Sequence, residues 1–296
     1  MPVTAQRMET LEFCRAARAR GELALAVTVL DAAIGQMTAE DAATLASLLL
    51  ERAELALAAG DVATADDAAR RAGPLAQKAE DLTVMAQAAW TVGQVTARQE
   101  DAERTRYWLG QAAELALLAE AWPIALRAQR GLANLMQGAG DTTGAVARLE
   151  ALAADAVVLE LPIEAAACHL DLAQLALARD DGPATLHHMQ EVLRDPANLP
   201  PLLRGEAGLL RARLLVAIGD VPSAVAGVAE SIDLLRLSGD QRSLGAGLLI
   251  QGQLLLLADR AQDAGRALGE ALAVTVRAGL PERAVVEAVI ARIHGA

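Results

Sequence analysis

Seven polar residues recur at intervals of 39 or 40 positions along this chain of 296 residues. This polar row consists of Arg15, Glu54, Gln94, Asn134, Gln174, Arg213 and Gln253. Every member can form hydrogen bonds, and burying such a row in an apolar-rich chain is costly unless the side chains meet water or a ligand. The row therefore predicts a surface that either faces solvent or binds a ligand.

Cationic and aromatic residues join the polar row in the middle of the chain. Trp90 and Arg130 occupy a register in which the other repeats carry Leu, and Arg98 and Arg127 lie close by in sequence. Arginine suits bidentate binding of a carboxylate, and tryptophan suits an apolar or cationic contact. These residues favour a partner with an acidic segment or a free C-terminus. The alternative is that Arg127 and Arg130 pair with acidic side chains of adjacent helices, which contributes little energy.

The sequence lacks the motifs that would support catalysis or a bound cofactor. It contains no GxxxxGK[ST], GxGxxG, HExxH or GxSxG pattern, so phosphate-binding loops, zinc-hydrolase helices and nucleophile elbows have no support. His187 and His188 are adjacent, and adjacent residues point apart on a helix, which argues against a metal pair. We therefore expect no catalytic activity, no metal and no cofactor. An enzyme built on a helical scaffold is the third hypothesis.

Composition narrows the range of partners. The formal net charge is −12, which repels phosphate backbones and anionic membranes. Charged residues interrupt the N-terminal segment where a secretory leader would need an apolar stretch, and the most apolar run, residues 244–258, is shorter than a membrane span. Cys14 and Cys168 form no CxxC motif, as expected in a reduced cytoplasm. We therefore expect a cytoplasmic protein that binds neither nucleic acid nor membrane.

The elements that must position the polar row are indicated by a row of turn signals. This row consists of Gly21, Gly60, Glu100, Gly140, Asp180, Gly219 and Asp259. Seven positions before each turn stands a small residue, namely Cys14, Ala53, Gly93, Ala133, Ala173, Ala212 and Gly252. An acidic residue follows every turn except the last, where Arg260 stands, and is expected to cap the next helix. Each unit is therefore predicted to be two helices joined by a tight turn, which must stack on its neighbours to bury its apolar stripe.

This spacing resembles that of the tetratricopeptide repeat family, as in Ala53, Gly60, Asp61, Ala65 and Ala72. The unit is longer than the family norm of about 34 residues, and Ala, Leu or Met replaces the usual aromatics. Longer units of this kind look like the arrays of bacterial regulators and of some polarity adaptors. The resemblance implies an all-α, right-handed α-solenoid of about seven helix pairs, whose first helices line a concave groove where the polar row hydrogen-bonds an extended peptide. The family's carboxylate-clamp variety uses Lys and Asn in the groove; Asn134 is present here and Lys is absent.

The array is expected to form one domain over residues 1–296, with residues 281–294 as a C-terminal capping helix or, alternatively, a docking helix for another subunit. The preferred function is a scaffold or adaptor that binds a protein or peptide in the groove. The alternative is a regulatory sensor module that responds to a small molecule or short peptide. A further apolar row could form either a protein-binding groove or a self-association face; its members are Leu170, Leu177, Leu209, Val216, Leu249 and Leu256.

Overall fold

The computed structural model describes residues 9–14, 16–17, 20, 22–37 and 41–295, with side chains up to residue 292. Arg15, Gly21 and residues 1–8, for which a frayed start is expected, lie outside the described residues. The described part contains α-helices and one short 3-10 helix, and no strand. The all-α repeat fold is therefore confirmed.

Fifteen helices follow one another in the described part of the chain, and from α3 to α14 they alternate as the first and second helix of successive repeats. They are α1 (residues 9–14 and 16–17), α2 (Leu23–Gln36), α3 (Ala42–Ala59), α4 (Val62–Lys78), α5 (Leu82–Arg98), α6 (Ala102–Leu118), α7 (Trp122–Gly138), α8 (Thr142–Val158), α9 (Pro162–Ala178), α10 (Gly182–Val192), α11 (Pro201–Ala217), α12 (Val221–Ser238), α13 (Gln241–Leu257), α14 (Ala261–Arg277) and α15 (Arg283–Gly295). The odd-numbered helices from α3 to α13 are called the first helices below.

The turns lie where the sequence predicts them. Every predicted turn residue from Gly60 to Asp259 has a positive φ angle, between 57° and 91°. This left-handed conformation ends a helix and redirects the chain. A second row of positive φ angles, which the sequence analysis missed, lies 20 residues after five of these turns, at Glu80, Glu120, Glu160, Gly239 and Gly279. The repeat is therefore built from two half-repeats of about equal length.

The small residues before each turn allow the two helices of a repeat to pack closely. A Cβ atom added at Gly93 would lie 2.8 Å from the side chain of Leu109, and one added at Gly252 would lie 2.6 Å from Leu268. Both leucines stand nine positions after the turn of their own repeat. Ala133 and Ala173 occupy the same register and are fully buried. The predicted close approach is confirmed at Gly93 and Gly252, and the buried Ala133 and Ala173 agree with it.

Side-chain caps start most of the second helices. Asp61, Asp101, Asp141, Asp181 and Asp220 each accept a hydrogen bond from the backbone N–H three residues later. In Asp220, the hydrogen bonds from the Ser223 hydroxyl and N–H lower the pKa of the carboxyl. Glu22 makes no such cap and instead bonds Arg20, so the predicted cap is wrong at that position.

One second helix is irregular. α10 has 11 residues, whereas α8 has 17 and α12 has 18. After Val192 the chain forms a 3-10 helix at Pro196–Asn198 and then α11, which Pro200 and Pro201 begin. Because proline lacks an N–H and favours helical φ, it suits the first position of a helix. The total repeat length is nevertheless preserved between Asp180 and Gly219.

The chain divides into two compact units. Unit one comprises Met1–Leu57 and Asp61–Leu172, and unit two comprises Ala58–Gly60 and Ala173–Ala296. Unit one contains a core cluster rich in alanine and leucine between α3 and α5, with Val92 and Val95 among its members. In unit two, Val286 of α15 is buried in the cluster of α11 to α14. The expectation of a single domain stays a prediction. No helix of the described residues is long and apolar enough to cross a membrane.

Candidate functional site on the first helices

The described members of the predicted site all retain solvent exposure. In unit one, Glu54, Trp90, Gln94, Arg98 and Arg130 are half-buried, while Arg127 and Asn134 are exposed. In unit two, Gln174, Arg213 and Gln253 are exposed. All of them lie on first helices, as the sequence predicts. Their role in binding stays a prediction, and Arg15 lies outside the described residues.

Neighbouring first helices in unit one are joined through this polar row. Glu54 Oε1 accepts a hydrogen bond from Gln87 Nε2 at 2.7 Å. Asp171 Oδ2 accepts one from Asn134 Nδ2 at 3.1 Å and lies 3.8 Å from Arg130 Nε. The polar row is therefore partly satisfied within the protein.

Arg127 pairs with Glu164, an acid more buried than the Asp171 that accompanies Arg130. Its Nε and Nη2 atoms donate to Glu164 Oε1 at 3.2 Å and 3.1 Å. The Glu164 side chain is 8 % exposed and the Arg127 side chain is 43 % exposed. The structure thus contains the pairing that the sequence left open as an alternative. Because Glu164 is the desolvated member, the pair mainly compensates the burial of that carboxylate.

Sequence reasoning missed Glu164 and Asp171, although a signal for them exists. Arg127 and Glu164 are 37 residues apart, as are Asn134 and Asp171. In unit two the same separation joins Glu206 to Ser243, whose Oγ donates to Glu206 Oε1 at 2.8 Å. A polar pair at this spacing connects one first helix to the next, so such pairs could have been sought in the sequence.

Two predicted contact surfaces are less accessible than the sequence suggests. Trp90 packs against a cluster containing Ala113 and Ala128, and its Nε1 atom is buried with no acceptor among the residues that the structure describes. In the apolar row of the C-terminal repeats, Leu170 and Leu209 are buried. Those leucines serve the core, which weakens the case for that row as a binding or self-association face.

Each unit has a cleft that contains predicted site residues. The cleft in unit one, here called the N-terminal cleft, has a volume of about 420 Å³. Its lining residues come from α1, α3, α5 and α7, and are Leu11, Ser47, Leu50, Glu51, Glu54, Thr83, Val84, Gln87, Ile124 and Arg127. The cleft in unit two, of about 160 Å³, includes Gln174 and Arg213 together with Glu206 and Ser243.

One cysteine thiol lies near the paired arginines. Cys168 is buried, and burial raises the pKa of its thiol to about 12, against a smaller opposite effect of Arg130. The thiol therefore stays protonated at neutral pH and is a poor nucleophile. Among the described residues, no group of three or more His, Cys, Asp or Glu side chains could hold a metal ion.

Solved structures similar to this chain share its fold at low sequence identity. A Rap protein complexed with competence and sporulation factor is 13 % identical, with a TM-score of 0.64 over 91 % of this chain and 80 % of that one. Aspartyl phosphate phosphatase F from Bacillus subtilis is 13 % identical, with a TM-score of 0.58 over 93 % of this chain and 74 % of that one.

A third similar structure contains a tetratricopeptide repeat sensor. It is a signal transduction ATPase with numerous domains and a tetratricopeptide repeat sensor, from Pyrococcus horikoshii; identity is 13 %, the TM-score is 0.56, and the match covers 98 % of this chain and 44 % of that one. No protein-family model and no curated protein matches the sequence. The chain therefore has the fold of tetratricopeptide repeat proteins.

Proposed function

We propose that this chain is a cytoplasmic adaptor that binds an extended segment of a partner protein along its first helices and performs no chemistry itself. The observation that supports this most directly is the N-terminal cleft. Its walls come from α1 and from the first helices α3, α5 and α7. A cleft that crosses four helices of consecutive repeats suits a chain that is extended rather than a compact small molecule.

The lining of the N-terminal cleft suits a segment of mixed character. Leu50, Val84 and Ile124 offer apolar contacts, while Thr83 and Gln87 offer hydrogen bonds. Polar side chains of this kind can hydrogen-bond the backbone of a bound segment whatever its sequence. The apolar contacts select the side chains of that segment. We therefore expect aliphatic side chains on the bound segment.

Charge gives the bound segment a direction. Glu54 lies on α3 and Arg127 on α7, so the cleft carries an acidic side chain on one lining helix and a basic side chain on another. Arg127 uses Nε and Nη2 for Glu164, and its Nη1 donors are not used in that pair. A carboxylate of the partner, from an acidic residue or a free C-terminus, can therefore join the pair at α7. A basic group of the partner belongs near Glu54.

The comparisons support an adaptor in general terms. The Rap structure is a complex with competence and sporulation factor, so a chain of this fold binds another factor. The net charge of −12 disfavours nucleic acid and anionic membranes as alternatives. A sensor module is the second candidate, because one similar structure is a signal transduction ATPase with a tetratricopeptide repeat sensor. Native mass spectrometry of the purified chain distinguishes a retained small molecule from a protein partner.

The adaptor proposal is tested by blocking the N-terminal cleft at Thr83, an exposed lining residue. A photo-crosslinking amino acid at Thr83 identifies the partner, and its affinity is then measured for wild type and Thr83→Arg. We expect at least about a tenfold loss with unchanged thermal stability, because the larger side chain fills the cleft. Thr143→Arg is the matched control, on the exposed surface of the second helix α8. Equal affinities of wild type and both variants would contradict the proposal.

A further inference from the structure

A pocket outside the first-helix clefts lies between α11 and α12 in unit two, and we propose that it binds a small molecule carrying an oxyanion. This α11–α12 pocket has a volume of about 310 Å³. Two arginines line it, and its other walls are mainly apolar or glycine. Small-molecule sites typically combine an apolar lining of about 300–1,000 Å³ with a few polar groups that converge on the ligand.

The pocket exists because α10 is short. A second helix of ordinary length would continue past Val192, but here the chain turns away into the 3-10 helix. Leu193 and Pro196 of this connection form one end of the pocket. The irregularity thereby uncovers a face of α11 that the preceding helix would otherwise approach.

Two matched helix faces form the sides of the pocket. On α11 the lining residues are Arg204, Ala207, Gly208 and Arg211, and on α12 they are Gly227, Glu230, Ser231 and Leu234. Both sets follow the spacing i, i+3, i+4, i+7, which places residues on one face of a helix. The two guanidinium groups therefore belong to the same face of α11, two turns apart.

A glycine on α12 provides the space that one of the two arginines occupies. A Cβ atom added at Gly227 would lie 3.3 Å from Arg211 Nη2, so the guanidinium lies over the backbone of α12. A Cβ atom added at Gly208 would lie 2.1 Å from Ser231 Oγ, so the two helices are in close contact beneath the pocket. Ser231 is buried, and its hydroxyl donates to the Gly227 carbonyl oxygen at 3.3 Å.

The charge of the pocket is not compensated by ion pairs. Arg204 and Arg211 have none with any residue that the structure describes, although most described arginines on other helices do, as Arg236 does with Glu270. Glu230 faces them from α12 and likewise has no ion pair in the described part of the chain. Two guanidinium groups against one carboxylate leave one net positive charge, in a chain whose overall charge is negative.

These features define the class of ligand. Arginine presents a planar set of donors that matches phosphate and carboxylate oxygens. The side chains of Leu193, Pro196 and Leu234 can hold a compact apolar body next to that group. Glu230 and the negative net charge of the chain disfavour polyanions such as nucleic acid. A phosphate monoester or a carboxylate on a ring-sized apolar group fits best.

Isothermal titration of the full chain with phenyl phosphate, benzoate and benzyl alcohol tests the proposal. We expect saturable binding of at least one anion with a Kd in the micromolar to millimolar range, and no binding of the neutral alcohol. Tighter binding of phenyl phosphate assigns a phosphate ester, and tighter binding of benzoate assigns a carboxylate. Absence of saturable binding for both anions would overturn the proposal.

Point variants then locate the binding. Arg204→Gln and Arg211→Gln should each weaken the preferred anion by about tenfold or more, the usual effect of losing a charged hydrogen bond. Arg213→Gln is the matched control, because Arg213 lies on the same helix but lines the other cleft of unit two. Circular dichroism should be the same for all three variants. Unchanged affinity in the first two, or an equal loss in the control, would refute the site.

Discussion

The arginines of α7 and those of α11 differ in what surrounds them. Both helices are first helices of 17 residues. On α7, Arg127 and Arg130 have carboxylate partners, Glu164 and Asp171, on α9. On α11, three arginines have no ion pair within the described residues. The number of arginines on a helix therefore does not measure its capacity to bind an anion.

The neighbouring helices explain the difference. Arg213 belongs to the polar row, and the residues 37 and 41 positions after it are Ile250 and Leu254. On α7, the residue 37 positions after Arg127 and the residue 41 positions after Arg130 are acidic, whereas the same steps from Arg213 reach aliphatic residues. Arg204 and Arg211 face α12, which presents glycine and serine to them and only one acid, Glu230. The charge of α11 therefore remains available.

Overpacking between the two helices of a repeat should destabilise the protein most, and it should do so equally in the two units. Gly93→Leu in unit one and Gly252→Leu in unit two should each lower the free energy of unfolding by about 1–3 kcal/mol through overpacking against Leu109 or Leu268. Urea denaturation measures both values. Gly269→Leu is the control, because no atom lies within 4 Å of a Cβ added there. Very different costs in the two units would show that the repeats are not equivalent in packing.

A smaller effect is expected when the buried ion pair of α7 is broken, and it should be asymmetric. Arg127→Met leaves the buried Glu164 carboxylate without its partner and should cost about 2 kcal/mol in unfolding free energy. Glu164→Gln leaves Arg127 at the surface, where water solvates it, and should cost less than about 1 kcal/mol. Chemical denaturation of both variants measures the difference. If both variants lost the same unfolding free energy, the burial of Glu164 would have no influence on the strength of the pair.

The smallest effect is expected on α11. Arg204→Met and Arg211→Met remove charges that have no ion pair in the described part of the chain, so stability should change by less than about 0.5 kcal/mol. The same denaturation experiment compares them directly with Arg127→Met. A cost as large as that of Arg127→Met would indicate that these arginines are structural, and the contrast between α7 and α11 would disappear.

The periodicity of the fold could be predicted because it depends on local residue types. Turn residues from Gly60 to Asp259, small residues such as Gly93, and caps such as Asp61 act within one helix pair. The second row of turns escaped prediction because three of its five residues, Glu80, Glu120 and Glu160, are not typical turn residues, so the row shows no consistent residue type.

The all-α repeat, its register and the placement of the polar row on first helices could be derived from the amino-acid sequence, since each of these depends on residues close together in the chain. Which polar residues are already paired could be read only from the folded structure. The partners of Arg127 and Asn134 lie 37 residues away on another helix. The α11–α12 pocket likewise depends on where a shortened helix turns away from its neighbour. Contacts of this kind depend on the stacking of repeats, in which the position of one helix determines what the side chains of the next can reach.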